Sequence, residues 1–253
     1  MRSLMMSPPL ESVFARELAR EVDRRLRAVA NPDDAAPMAA YLKGIQPFVG
    51  VKAPARRAAT RDLSRRFQPA DARELRQALW ALWELPYREA RYTGIEWIEG
   101  LPREARGPEL IDLYEAMIRE GAWWDVVDAV CARLVSPLYL RERPALYATV
   151  ERWATDEDLW VRRAALLAQL KHRDEADAEQ LFRFCAEMAP EKAFFIRKAI
   201  GWGLREYACY RPRQVRDFLI AHRERLSGLS VREASKHLEK LGAPLPKGGE
   251  GSS

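Results

Sequence analysis

The segment at residues 123–128 reads Trp-Trp-Asp-Val-Val-Asp and holds two tryptophans and two aspartates. If this segment is helical, Trp124 and Asp128 lie four residues apart and therefore share one face. The valines then lie on the opposite face, which can be buried. An indole and a carboxylate that point outward together could bind and stabilise a cationic group. The alternative is a packing tryptophan beside a solvated acid.

A second segment, residues 193–205, combines aromatic and cationic side chains. On a helix, Lys198, Trp202 and Arg205 share one face, with Phe195 at its edge. Cations can bind phosphates while flat rings contact sugars and bases, so this face is typical of a nucleic-acid groove. A surface tryptophan covered by the stems of the Lys and Arg side chains is the other interpretation. The opposite face is expected to be buried: Ile196, Ala199, Ile200, Gly203, Leu204 and Tyr207.

Two further groups of arginines could take part in binding. Arg163 lies within a leucine stripe of residues 160–170, so its guanidinium needs a partner. That partner could be a carboxylate from a neighbouring helix or a phosphate in a cleft. In the first third of the chain, Lys52, Arg56 and Arg57 begin a basic run that only Asp62 opposes up to residue 66. Such a run is either a solvated face or a surface that follows a phosphate backbone.

Composition is that of a folded protein and permits an acidic partner. The 253 residues include 42 Lys+Arg and 37 Asp+Glu, a modest net charge of +5, which permits an anionic partner without proving one. No apolar run approaches the length of a membrane span. The first ten residues contain prolines and no apolar stretch as long as that of a signal peptide, so a cytoplasmic protein is expected. Three cysteines without C-x-x-C spacing predict reduced thiols, and three scattered histidines predict no metal site. No phosphate-binding or dinucleotide-binding glycine motif occurs, and no cofactor is expected.

Helical periodicity dominates the chain, and strand-like alternation is almost absent. The predicted helices cover 11–30, 34–43, 53–67, 71–84, 87–99, 106–120, 123–136, 142–154, 158–171, 176–188, 193–209, 212–224 and 230–240. Pairs of such helices repeat about every 35–45 residues, the spacing of HEAT or armadillo repeats. The sequence therefore predicts an all-α protein, an α-α superhelix or solenoid of degenerate HEAT-like repeats with a concave DNA-binding face. One domain is expected over residues 1–241, followed by a disordered tail at 242–253.

In these segments the chain resembles the AlkD-type DNA alkylation repair glycosylases, a family of HEAT-like repeat proteins. The resemblance runs collinearly over roughly residues 33–240. It is most specific in the Trp-Trp-Asp-x-Val-Asp segment and in the segment at residues 194–207, Phe-Phe-Ile-Arg-Lys-Ala-Ile-Gly-Trp-Gly-Leu-Arg-Glu-Tyr. The family removes N3- and N7-alkylated purines from duplex DNA, including bulky adducts in some members.

The resemblance also implies roles for individual residues. Asp128, Trp124 and Trp202 would form the catalytic cleft that receives the damaged nucleotide. The backbone of the DNA would be contacted by Tyr41, Arg163 and Arg205, and Phe195 would line the same wall. Together with Lys198, Lys52, Arg56 and Arg57, these residues form the predicted DNA-binding set.

The expected chemistry needs only one carboxylate. An N3- or N7-alkylpurine is already cationic and departs as a neutral base, so no general acid has to protonate it. Asp128 could stabilise the oxocarbenium ion and position the attacking water. The resemblance and this chemistry thus imply a glycosylase, monomeric by default, that acts on double-stranded DNA with alkylated purines. Such a protein is expected to be associated with the nucleoid when it is bound to DNA. Two alternatives stay open: a HEAT protein that binds damaged DNA without cleaving it, and a HEAT scaffold that binds proteins.

Overall fold

The computed structural model describes residues 12–246 of the chain. Within that range the regular secondary structure is helical, without a β-strand, which confirms the predicted all-α class. The chain divides into two compact units between Leu113 and Tyr114, within helix α7. We call them the first and the second unit. A single domain over residues 1–241 stays a prediction.

The first unit begins with six helices, and α7 contains the boundary. These helices are α1 (Val13–Ala28), α2 (Pro32–Tyr41), α3 (Ala53–Thr60), α4 (Leu63–Arg66), α5 (Ala72–Trp83), α6 (Arg88–Glu99) and α7 (Ile111–Gly121). Several N-termini are capped by short polar side chains, among them Asn31 before α2 and Asp71 before α5, each accepting a backbone N–H of the first turn. Helix α1 packs against α5 and α3, and α3 packs against α6.

The second unit continues the succession of short helices. They are α8 (Trp124–Val130), α9 (Ser136–Arg141), α10 (Arg143–Ala154), α11 (Leu159–Leu167), α12 (Ala178–Glu187), α13 (Phe194–Ala208), α14 (Pro212–Ala221) and α15 (Gly228–Ser235). Alternate helices pack side by side: α11 contacts α13, and α13 contacts α15. A succession of this kind is what an α-α solenoid requires.

Two sequence predictions of helix boundaries were wrong. The predicted helix 53–67 is divided into α3 and α4, with Arg61 and Asp62 between them. The predicted helix 123–136 does not end at residue 136, since α8 continues through a π-helical segment, Cys131–Val135, directly into α9. Pro137, which has no N–H to donate, lies two residues beyond the end of the π-helical segment, inside this continuous run of helix.

At the C-terminal end of the described range, the backbone folds back and hydrogen-bonds to the preceding turn. Gly242 has a positive φ of 72°, and the N–H of Ala243 donates to the Leu238 carbonyl at 2.9 Å. The remainder of the predicted tail, residues 247–253, lies outside the described residues. Among residues 12–246, no helix is long and apolar enough to cross a membrane.

Candidate functional site

The predicted catalytic residues all belong to one layer of the second unit. In this layer α8 contacts α11, α11 contacts α13, and α13 contacts α15. Asp128 is on α8, Arg163 on α11 and Trp202 on α13. The layer therefore places residues from distant parts of the sequence on successive packed helices of this unit.

Helix α8 presents its two faces as the sequence predicts. Its valine face is fully buried: Val126, Val127 and Val130. On the other side, Trp124 is half-buried in the first turn, and the Asp128 side chain retains 18% of its exposure. The first of the two tryptophans, Trp123, is the N-cap residue: its backbone is extended, and the helix begins at the next residue.

The partner of Arg163 is Asp128, which resolves the choice that the sequence left open in favour of a carboxylate. Nε and Nη2 of Arg163 donate to Oδ1 and Oδ2 at 2.7 and 2.9 Å, a bidentate pair. Nη1 donates to the Phe195 carbonyl on α13. The Arg163 side chain is only 5% exposed, so the guanidinium lies beneath the carboxylate, which is the more accessible of the two. A contact between Arg163 and the DNA backbone stays a prediction.

Burial is the dominant influence on the ionisation of Asp128. Desolvation raises the pKa of this carboxyl above its ordinary value, while the hydrogen bonds and charge of Arg163 oppose that rise. The charge of Asp125, three residues earlier, acts in the same direction as burial. Asp128 thus depends on Arg163 to hold its negative charge within a poorly hydrated site.

An aromatic cluster adjoins the ion pair. The ring centroid of Phe195 lies 5.4 Å from that of Trp123 and 4.9 Å from that of Trp160. The Arg163 guanidinium lies 5.9 Å from the centre of the same Phe195 ring. Phe195 therefore joins the cluster to the ion pair. The sequence analysis did not predict that Trp123 belongs to this aromatic cluster. Its position next to Trp124 was the signal that could have indicated it.

Helix α13 has one buried apolar face and one more accessible face, as predicted. All six residues of the predicted apolar face are buried: Ile196, Ala199, Ile200, Gly203, Leu204 and Tyr207. On the other side Trp202 is half-buried. Lys198 and Arg205 both bind the carboxylate of Glu233 on α15, at 3.0 and 2.6 Å. Glu233 was not predicted, because its partners lie about 30 residues earlier in the sequence.

The remaining predicted DNA-binding residues belong to the first unit. Tyr41, at the end of α2, is 72% exposed. Lys52 binds Asp34 at 2.7 Å and is itself well exposed. Arg56 is buried with its guanidinium on Glu96, whereas its neighbour Arg57 binds the same carboxylate at 2.9 Å from an exposed position.

All the charged residues of the predicted DNA-binding set thus have an internal carboxylate partner. Among residues 12–246, no group of three or more His, Cys, Asp or Glu side chains is arranged to hold a metal ion. Independence from metals and cofactors stays a prediction.

Fold and site together define an all-α protein of successive helical pairs, with a carboxylate, indoles and cations on one helical layer. A family model described as "DNA alkylation repair enzyme" matches residues 22–238. A solved structure described as "Predicted DNA alkylation repair enzyme from Enterococcus faecalis" is 30% identical, with a TM-score of 0.77 over 83% of this chain and 97% of that chain. No curated protein matches this chain.

The chain belongs to the DNA alkylation repair enzyme family, because the family model spans most of its length. This membership confirms the resemblance inferred from the sequence. It assigns the protein an enzymatic role in DNA repair and DNA as the molecule on which it acts.

Proposed function

We propose that this protein is a DNA glycosylase that hydrolyses the N-glycosidic bond of cationic N3- and N7-alkylpurines in duplex DNA. The observation that carries the proposal is the Asp128–Arg163 pair, in which a buried guanidinium holds a more exposed carboxylate through two hydrogen bonds. A carboxylate fixed in this way is preorganised to stabilise positive charge that develops beside it.

The reaction needs no acid from the protein. As the bond between C1′ and the base nitrogen breaks, the base takes the bonding electron pair and becomes neutral. Water then adds to C1′ and loses a proton, which leaves an abasic site. Asp128 would stabilise the oxocarbenium ion and orient this water, since each of its oxygens keeps lone pairs beyond those that Arg163 occupies.

The aromatic residues supply the second element of the proposal. Trp124 shares the exposed face of α8 with Asp128, and both Trp124 and Trp202 are half-buried. Their indole faces would attract the cationic nucleotide by about 0.5–2 kcal/mol each. A neutral base would gain neither this attraction nor an easy departure, so the proposed site favours 3-methyladenine and 7-methylguanine over uracil.

The experiment that tests the proposal compares the native chain with Asp128→Asn. Release of free 7-methylguanine and 3-methyladenine from methylated duplex DNA is measured, with Asp217→Asn as control. Asp217 is an exposed aspartate on α14 whose partner is the adjacent Arg216. We expect release by the native chain and by the control, and a loss of roughly 10²-fold or more in Asp128→Asn.

Two other outcomes would change the assignment. Release that survives Asp128→Asn would keep the enzyme but discard this role for the carboxylate. No release, with DNA binding intact and the circular dichroism helical, would indicate a protein that binds damaged DNA without cleaving it. Efficient release of uracil would contradict the proposed dependence on a cationic base.

A further inference from the structure

Three cations converge on one carboxylate at the end of the helical layer. Oε1 of Glu233 accepts from Nζ of Lys198 at 3.0 Å. Oε2 accepts from Nη1 of Arg205 at 2.6 Å and from Nζ of Lys236 at 2.9 Å. Lys236, just beyond the end of α15, is in neither the predicted catalytic set nor the predicted DNA-binding set.

Backbone packing fixes where this carboxylate lies. Lys198 and Arg205 are seven residues apart, which separates them by about 10 Å along α13. Gly201 lies between them, and a Cβ added there would meet the Glu233 Cβ at 2.4 Å and the Ser230 carbonyl oxygen at 3.0 Å. The absence of a side chain at Gly201 lets α15 approach closely enough for Glu233 to reach both cations.

The cluster is more positive than the other ion pairs of the predicted binding residues. Arg163 with Asp128, and Lys52 with Asp34, are each one cation on one carboxylate. Arg56 and Arg57 share Glu96, which leaves one positive charge in excess. The Glu233 cluster has three cations on one carboxylate and therefore two positive charges in excess.

The cations are the accessible part of this cluster. The side chains of Lys198 and Lys236 are 37% and 49% exposed, and that of Arg205 is 23% exposed. The Glu233 side chain, at 12%, lies beneath them. An anion that approaches the surface would meet the ammonium and guanidinium groups before the carboxylate. Trp202, on the same helix between Lys198 and Arg205, places this charge beside the predicted cleft.

We propose that Lys236 joins Lys198 and Arg205, which are already in the predicted DNA-binding set, in one site for a phosphodiester group, and that Glu233 is the carboxylate that competes with this phosphate. This inference rests on the proposed action on DNA. A phosphate that binds here has to share the donors that Glu233 occupies and is repelled by its charge. Glu233 therefore lowers the affinity for any duplex, damaged or not, and limits unproductive binding to undamaged DNA.

Equilibrium binding of an undamaged duplex oligonucleotide, measured by fluorescence anisotropy over a series of salt concentrations, tests this site. Glu233→Gln preserves the shape of the side chain and removes its charge, and Lys236→Gln removes one proposed phosphate contact. Their matched controls are Glu239→Gln and Lys240→Gln, which change the same charges at exposed positions of the same segment.

We expect Glu233→Gln to tighten binding several-fold more than Glu239→Gln does. Lys236→Gln should weaken binding and make the slope of log K against log salt shallower by about 0.9, the loss of one phosphate contact. Weaker binding by Glu233→Gln, or Lys236→Gln that matches Lys240→Gln, would overturn the inference. Absence of any DNA binding by the native chain would overturn it as well.

Base release, measured in parallel on methylated DNA, separates this inference from the proposed glycosylase. Release by the native chain with unchanged binding in both cluster variants would leave the enzyme and remove the phosphate site. The expected binding changes without base release would support the phosphate site and contradict the glycosylase.

Discussion

The guanidinium of Arg163 makes all its described hydrogen bonds within the protein: two to Asp128 and one to the Phe195 carbonyl. A buried charge of this kind is stable only when its donors are satisfied. The same bonds hold Asp128 in one orientation and oppose the rise in its pKa that burial causes. A single side chain thus links the ionisation of the proposed catalytic carboxylate to the packing of α8, α11 and α13.

A Lys at position 163 should shift the acidic limb of the pH profile of base release. Arg163→Lys keeps the charge but loses the planar pair of donors, so desolvation is opposed less strongly and the pKa of Asp128 rises further. Because the reaction needs the carboxylate form, activity should begin to fall at a higher pH than in the native chain. The measurement is the rate of 7-methylguanine release against pH.

The control for this variant is Arg162→Lys. Arg162 makes an equivalent bidentate pair with Glu191, with both distances at 2.9 Å, but does not contact Asp128. Its acidic limb should match that of the native chain. An unshifted limb in Arg163→Lys, or the same shift in both variants, would contradict the proposed link between Arg163 and the ionisation of Asp128.

At the scale of elements, close approach of α13 and α15 depends on the small residue at position 201. In Gly201→Ala the added methyl would lie 2.4 Å from the Glu233 Cβ and 3.0 Å from a backbone oxygen, so the helices must separate. We expect a loss of about 1–3 kcal/mol in the free energy of unfolding, the usual cost of an overpacked contact. Urea unfolding followed by circular dichroism measures this loss.

Gly228→Ala is the comparison for the helix contact. At the start of α15, a Cβ on Gly228 would meet only the flexible end of Arg232, at 3.2 Å. Its free energy of unfolding should differ from the native value by far less than that of Gly201→Ala. Equal effects in both variants would mean that the approach of the two helices is not the limiting contact.

At the scale of the whole molecule, pH should alter stability through a buried histidine. His172 is 1% exposed, and one of its ring nitrogens is hydrogen-bonded to the Ser136 carbonyl at 2.8 Å. Burial lowers the pKa of His172 from 6.5 to about 4. Between these values the unfolded chain binds a proton that the folded chain does not, so the free energy of unfolding should fall as the pH decreases from 6.5 to 4.

His172→Gln should remove part of this dependence. The variant loses packing and is expected to be less stable overall, but its free energy of unfolding should change less between pH 6.5 and 4 than that of the native chain. Urea titrations at several pH values measure this, with the exposed His237→Gln as control. Parallel curves for the native chain and His172→Gln would exclude His172 as the source.

Carboxylates in ion pairs become protonated at lower pH than His172 does. Hydrogen bonds from Arg24 lower the pKa of Glu21, that from Arg25 lowers the pKa of Asp62, and that from Lys236 lowers the pKa of Glu233, each to about 2. The stability from these pairs is present above the ordinary carboxyl pKa and is lost as pH falls toward 2. Acid is therefore expected to weaken the second unit first, through His172 between pH 6.5 and 4, and then both units through these ion pairs as the pH falls toward 2.

The sequence by itself determined the helices and the faces that they bury. The valines of α8 and the apolar side of α13 follow from the 3.6-residue period, which is a property of the local chain. The family was also recognisable from the segments around Trp124 and Trp202, and the family match confirms it. The end of the helix at residue 136 was predicted wrongly, because the π-helical segment before Pro137 continues a helix that the local signals would end.

Only the tertiary structure decided which charges meet. Asp128 and Arg163 are 35 residues apart in the sequence. Glu233 on α15 forms an ion pair with Lys198, which lies on α13. Helical periodicity fixes the direction of a side chain but contains no information about which helix packs against it. The stacking of α8, α11, α13 and α15 supplies that information, since packed helices bring distant charges within hydrogen-bond distance and burial makes an unpaired charge costly.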